Sequence, residues 1–80
     1  MIILGQKSRD RIIPLAPIDR LIRETKAERV SEKAVKVLGE ILEEVAIEIA
    51  LMAKDLAEHA RRKTIVDSDI KLAYKQWKRS

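Results

Sequence analysis

His59 is the single histidine of the 80-residue chain, and Asp55 precedes it by four residues, a spacing at which side chains meet on one helix face. Such a pair binds metal only weakly, and with no cysteine and no other ligand nearby, a hydrogen-bonded interfacial histidine is the better reading. Glu40, Glu43 and Glu44 cluster, but no pocket-forming element accompanies them to tune a general acid or base, so they read as a solvated helix face. Ser31, Thr64 and Ser68 lack a base-and-orienter arrangement for nucleophilic attack, and the isolated Gly5 and Gly39 form no phosphate-cradling loop. The sequence therefore predicts no catalytic residue, no metal and no cofactor: the chain is not an enzyme.

The chemistry that remains is cationic. Residues 1–33 carry eight Lys/Arg against five Asp/Glu, residues 34–60 two against six, and residues 61–80 seven against two. The ends are basic and the middle acidic, so a polyanion would be held at the ends and repelled at the centre. Tyr74 and Trp77, the only aromatics, are too few to form a stacking platform for single strands. A duplex is the better-matched polyanion.

The element that positions these charges is a long helix, capped by Ser31 and running to about Arg61. Apolar residues recur at Ala34, Leu38, Ile41, Val45, Ile49, Met52, Leu56 and Ala60, with a second row at Leu42, Ala46, Ala53 and Ala57. Such a helix would be roughly 45 Å long at ~1.5 Å per residue. A globule of this chain length should span only about 30 Å. The spacing thus predicts a rod too long and too apolar for one chain to cover, with a second copy supplying the cover.

Before it, Pro14-Leu15-Ala16-Pro17 predicts an extended lead-in and a short helix from Pro17 to about Thr25, with Pro17 at its first position and Asp19 in its first turn. Residues 26–30 form a connecting loop. After the long helix, Thr64-Ile65-Val66 is β-branched and extended, and Asp67-Ser68-Asp69 caps a last helix. Residues 1–13 read as a basic flexible arm and 14–80 as one domain. The apolar start, Met1-Ile2-Ile3-Leu4, is too short for a signal peptide, and no stretch approaches a membrane span, so the chain reads as soluble and cytoplasmic.

Pro14-Leu15-Ala16-Pro17-Ile18, Ala27-Glu28-Arg29-Val30-Ser31, Ile41-Leu42-Glu43-Glu44, His59-Ala60-Arg61-Arg62-Lys63-Thr64-Ile65 and Asp69-Ile70-Lys71-Leu72-Ala73 strongly resemble an archaeal histone. The similarity runs from about Pro14 to Lys78. It implies an all-α histone fold (short helix, loop, long central helix, loop, short helix), with brief strands in the loops and two chains joined in a handshake dimer. The dimer core would comprise Leu38, Ile41, Leu42, Val45, Ile49 and Met52. The resemblance further implies an obligate homodimer that wraps double-stranded DNA on the chromosome (the nucleoid), largely without sequence preference.

Carried over by position, the DNA-binding residues would be Arg20, Arg23, Arg29, Ser31, Arg62, Lys63 and Thr64, with backbone N–H groups near Ser31 adding phosphate donors. Arg62 and Asp69 would form an internal ion pair. Leu56, His59, Asp69 and Leu72 would join dimers into tetramers or higher assemblies, and a sister histone is a further candidate partner. Three departures stand out. Lys26 replaces a glycine of strongly assembling relatives, which works against tight stacking of successive superhelical turns. Ile47 and Glu58 replace basic residues. The arm is additional, and its Lys7, Arg9 and Arg11 would be tail contacts to DNA. The competing expectations are a histone-fold subunit of a transcription or repair complex working as a heterodimer, and a helical interaction module with no nucleic-acid role.

Overall fold

The computed structural model of the protein describes residues 11–80. Three helices follow one another: α1 (Leu15–Arg23), α2 (Glu32–His59) and α3 (Asp67–Arg79). The described residues contain no strand. The segments before α2 and α3 that the resemblance implied would be strands have no ladder partner among the described residues, so they stay irregular. No helix among these residues is long and apolar enough to cross a membrane.

α1 lies two residues earlier at both ends than the prolines suggested. Pro14, extended at φ −61° and ψ 153°, occupies the N-cap, which places Pro17 third in the helix. That position is tolerated because the first N–H groups of a helix have no intrahelical acceptor to lose. The helix closes through Thr25, whose N–H and hydroxyl both donate to the Ile22 carbonyl, at 3.0 and 2.7 Å. Lys26 then turns the chain in the left-handed region at φ 70°. An L-residue there costs about 1–2 kcal/mol, partly offset in a comparison with glycine by glycine's larger entropy loss on folding. Lys26→Gly is therefore expected to stabilise the fold by about 0.5–1 kcal/mol, read from chemical denaturation.

α2 begins as its first residues dictate. The Ser31 hydroxyl accepts the Ala34 N–H at 3.0 Å, satisfying one of the helix's orphan donors. The helix then runs unbroken for 28 residues, roughly 42 Å. It ends two residues before the expected Arg61, in a Schellman turn: the Arg61 N–H donates to Glu58 and the Arg62 N–H to Ala57, both at 2.9 Å, with Arg61 left-handed at φ 60°.

The chain divides into two compact units, one ending at Glu44 and one beginning at Val45. In the first, Ile18 of α1 is 1% exposed and packs on the start of α2 at Gly39, where a Cβ would lie 2.8 Å from the Ile18 Cδ1. Val35, Gly39 and Glu43, at four-residue intervals, form the buried face. The Glu43 Oε2 accepts the N–H groups of Ile12 and Ile13, each at 2.7 Å. This carboxylate is thus a buried structural anchor and not the solvated group expected, and it ties residues 12–13, read as part of the arm, to α2.

In the second unit Ala53, Ala57 and Ala73 are buried, and their small side chains let α3 approach α2 closely. Trp77 donates its indole N–H to Glu48 at 2.6 Å and stacks on Tyr74, the ring centroids 6.2 Å apart. Burial within the chain is therefore uneven along both apolar rows of α2. Ala53 and Ala57 are buried within the chain, Ala34, Ala46 and Ala60 are exposed, and Leu38, Ile41, Leu42, Val45, Ile49, Met52 and Leu56 remain half-buried.

Candidate nucleic-acid interface

The best-defined polar structure lies in the loop between α2 and α3. Arg62 grips Asp69 with two parallel hydrogen bonds, Nη1 to Oδ2 at 2.7 Å and Nη2 to Oδ1 at 2.9 Å, and Nη1 also reaches the Thr64 carbonyl at 3.0 Å. Asp69 sits at the third position of α3 and accepts the N–H of Val66, the N-cap residue, at 2.9 Å. The cap expected from the Asp67-Ser68-Asp69 run is thus made by its third residue reaching back. The Arg62 guanidinium, followed by the Val66 N–H, holds the Asp69 carboxyl at about 2 despite its burial. The same hydrogen bond from Arg62 to Asp69 raises the pKa of Arg62. This pair spans the loop and fixes the segment that carries Lys63 and Thr64, both exposed.

Of the other residues expected at DNA, Arg20 and Arg29 are exposed and have no side-chain partner among the described residues. Arg23 is exposed but donates its Nε–H to Asp19 at 2.9 Å, which raises its pKa. Ser31 is engaged as the α2 cap. Arg11 is exposed, while Lys7 and Arg9 lie outside the described residues. Ile47 is exposed, and Glu58 pairs with Lys54 at 3.3 Å, so neither adds free positive charge.

The residues expected between dimers are also distributed by the fold. Leu56 is half-buried, Leu72 is 46% exposed, and His59 is exposed at the end of α2. The His59 Nδ1 lies 2.8 Å from the Asp55 carbonyl oxygen. That oxygen only accepts, so Nδ1 is the donor in this bond. The bond runs to the Asp55 backbone and not to the carboxylate that the spacing suggested. Among the described residues no group of three or more His, Asp or Glu side chains gathers for a metal. A shallow groove of about 310 Å³ beside α1, lined by Leu15, Ala16, Asp19, Val30, Glu32 and Val35, brings no nucleophile and base together.

Residues 11–74 match the model of the family described as histone-like transcription factor (CBF/NF-Y) and archaeal histone. An archaeal histone HAN1 subunit of Thermococcus zilligii is 57% identical over 63 residues, covering 79% of this chain and 94% of that protein. The chain belongs to the archaeal histone family. Probable archaeal histone 3 of Methanocaldococcus jannaschii is 49% identical over 61 residues, 76% of this chain and 91% of that protein. The three helices are accordingly those of a histone fold, and as an archaeal-type histone the chain is a DNA-binding protein of chromatin.

Sequence reasoning missed two structural residues of this histone. Glu43 anchors the lead-in to α1, and Glu48 receives the Trp77 indole. Only their position was legible: each lies on the α2 side that a neighbouring segment covers, where a charged residue needs a partner.

Proposed function

We propose that this histone is an architectural protein that binds duplex DNA as a homodimer, with little regard for sequence, and bends it into nucleosome-like assemblies. The observation that carries the reading is an exposed cation in each loop, Arg29 before α2 and Lys63 after it, with no side-chain partner among the described residues. Arg20 adds a third on α1. Such residues contact phosphates, which position a duplex without reading its bases.

Dimerisation is supported by what one chain leaves uncovered. The core among the described residues is Ile18, Val35, Ala53, Ala57 and Ala73, which contains only one large, fully buried side chain. The half-buried row on α2 supplies the apolar seam for a second copy, and the Glu44 Oε2 is buried without a hydrogen-bond partner among the described residues. Leu56, His59 and Leu72 are the surface for joining dimers. In that arrangement Asp69 would share a carboxylate already given to Arg62 and Val66.

The test is duplex affinity as a function of salt. For Arg29→Ala combined with Lys63→Ala, the slope of log affinity against log salt is expected to fall by about 0.9 for each phosphate no longer neutralised, with helicity unchanged. Undiminished affinity for every duplex tried would remove the site. The Thermococcus relative is named as one subunit of a histone, which favours a second reading: a heterodimer with another histone chain. Chromatography of the chain purified alone separates the two, because a homodimer excludes an obligatory different partner.

A further inference from the structure

The run Arg61-Arg62-Lys63 carries three cations, but they are not equivalent. Both terminal nitrogens of Arg62 are bound to Asp69, so its charge is largely spent inside the chain. Arg61 is exposed, and its side chain has no hydrogen bond or ion pair among the described residues. Its backbone is held at φ 60° by the Schellman turn that closes α2, the position at which glycine is the favoured residue. An arginine thus stands at a backbone position that favours glycine. Lys26 repeats this at the end of α1, exposed and at φ 70°. Strain kept at an exposed position points to a use outside the fold.

We infer that Arg61 is a phosphate-binding residue of the second loop, the free arginine of a run whose other arginine is internally occupied. The inference rests on the duplex-binding reading above and adds a contact that the resemblance did not supply. A purely structural alternative exists: a cation beside the last carbonyls of α2 would favour the negative end of the helix dipole. The two roles differ in which measurement Arg61 moves.

The experiment uses the full chain in three forms, the parent, Arg61→Gly and Arg61→Lys, with duplex affinity measured across a salt series and thermal melting measured without DNA. Arg61→Gly is expected to melt at or above the parent temperature, because the left-handed strain is relieved. Its salt slope should fall by about 0.9 for each Arg61 engaged, while Arg61→Lys keeps the parent slope. An unchanged slope in Arg61→Gly, when the parent binds duplex normally, overturns the assignment and leaves the duplex-binding reading intact. A lower melting temperature with an unchanged slope also overturns it and assigns Arg61 to the helix end. A parent chain that fails to bind duplex at moderate salt overturns both this assignment and the reading beneath it.

Discussion

Ile49→Asp is expected to abolish folding of the purified chain. Ile49 lies in the half-buried row that runs from Leu38 to Met52 along α2. In a two-fold dimer the substitution occurs twice, placing two carboxylates in one apolar seam. Each loses about 1.5–3 kcal/mol of apolar burial, and desolvating each charge costs several kcal/mol more. The total rivals the ~5–15 kcal/mol that stabilises an ordinary small domain. Far-UV circular dichroism at micromolar concentration should show an unfolded chain. Ile47→Asp, ~200° away around the helix, should retain the parent spectrum because Ile47 is already exposed. A cooperative, helical monomer carrying Ile49→Asp would end the dimer argument.

The second large effect concerns the loop after α2. Asp69→Asn removes the charge that receives both nitrogens of Arg62, so Asp69→Asn should melt well below the parent at neutral pH. The loss should depend on pH. The native chain holds the Asp69 carboxyl at about 2, against 3.8 for an unperturbed group, and so binds its proton less readily than the unfolded chain does. The contribution is therefore fully present above the unfolded value and is lost as pH falls from 3.8 through about 2. The difference in melting temperature between parent and Asp69→Asn should narrow over that interval. A difference that stays constant down to the lower value would mean that the ion pair does not couple to stability.

Much of this was legible in residue spacing. The period of α2 is strong over its whole length, and Ser31 declares its start, because both signals are local. The fold class was legible in the same residues through their resemblance to archaeal histones. The boundaries of α1 were displaced because a proline fits several positions in a first helical turn, and spacing alone does not choose among them. The left-handed Lys26 and Arg61 left no local signal, since neither is a residue that marks a turn. Glu43 was misread because its partners, the N–H groups of Ile12 and Ile13, stand 31 and 30 residues away. Contacts of that range are set by packing, and no local pattern encodes them. The same limit applied to Glu48 and Trp77. The resemblance had already implied that Arg62 is occupied by Asp69, and the structure supplies the two parallel hydrogen bonds that hold it.

The indole of Trp77 has a consequence for how this molecule can be watched. It is the sole tryptophan, fastened to Glu48 and half-buried against Tyr74 where α3 lies on α2. Its emission is therefore an intrinsic optical gauge of that joint, needing no label. Separation of α3 from α2 would wet the ring and break its bond to the carboxylate, so fluorescence can report the loosening of one helix while circular dichroism reports the loss of all three.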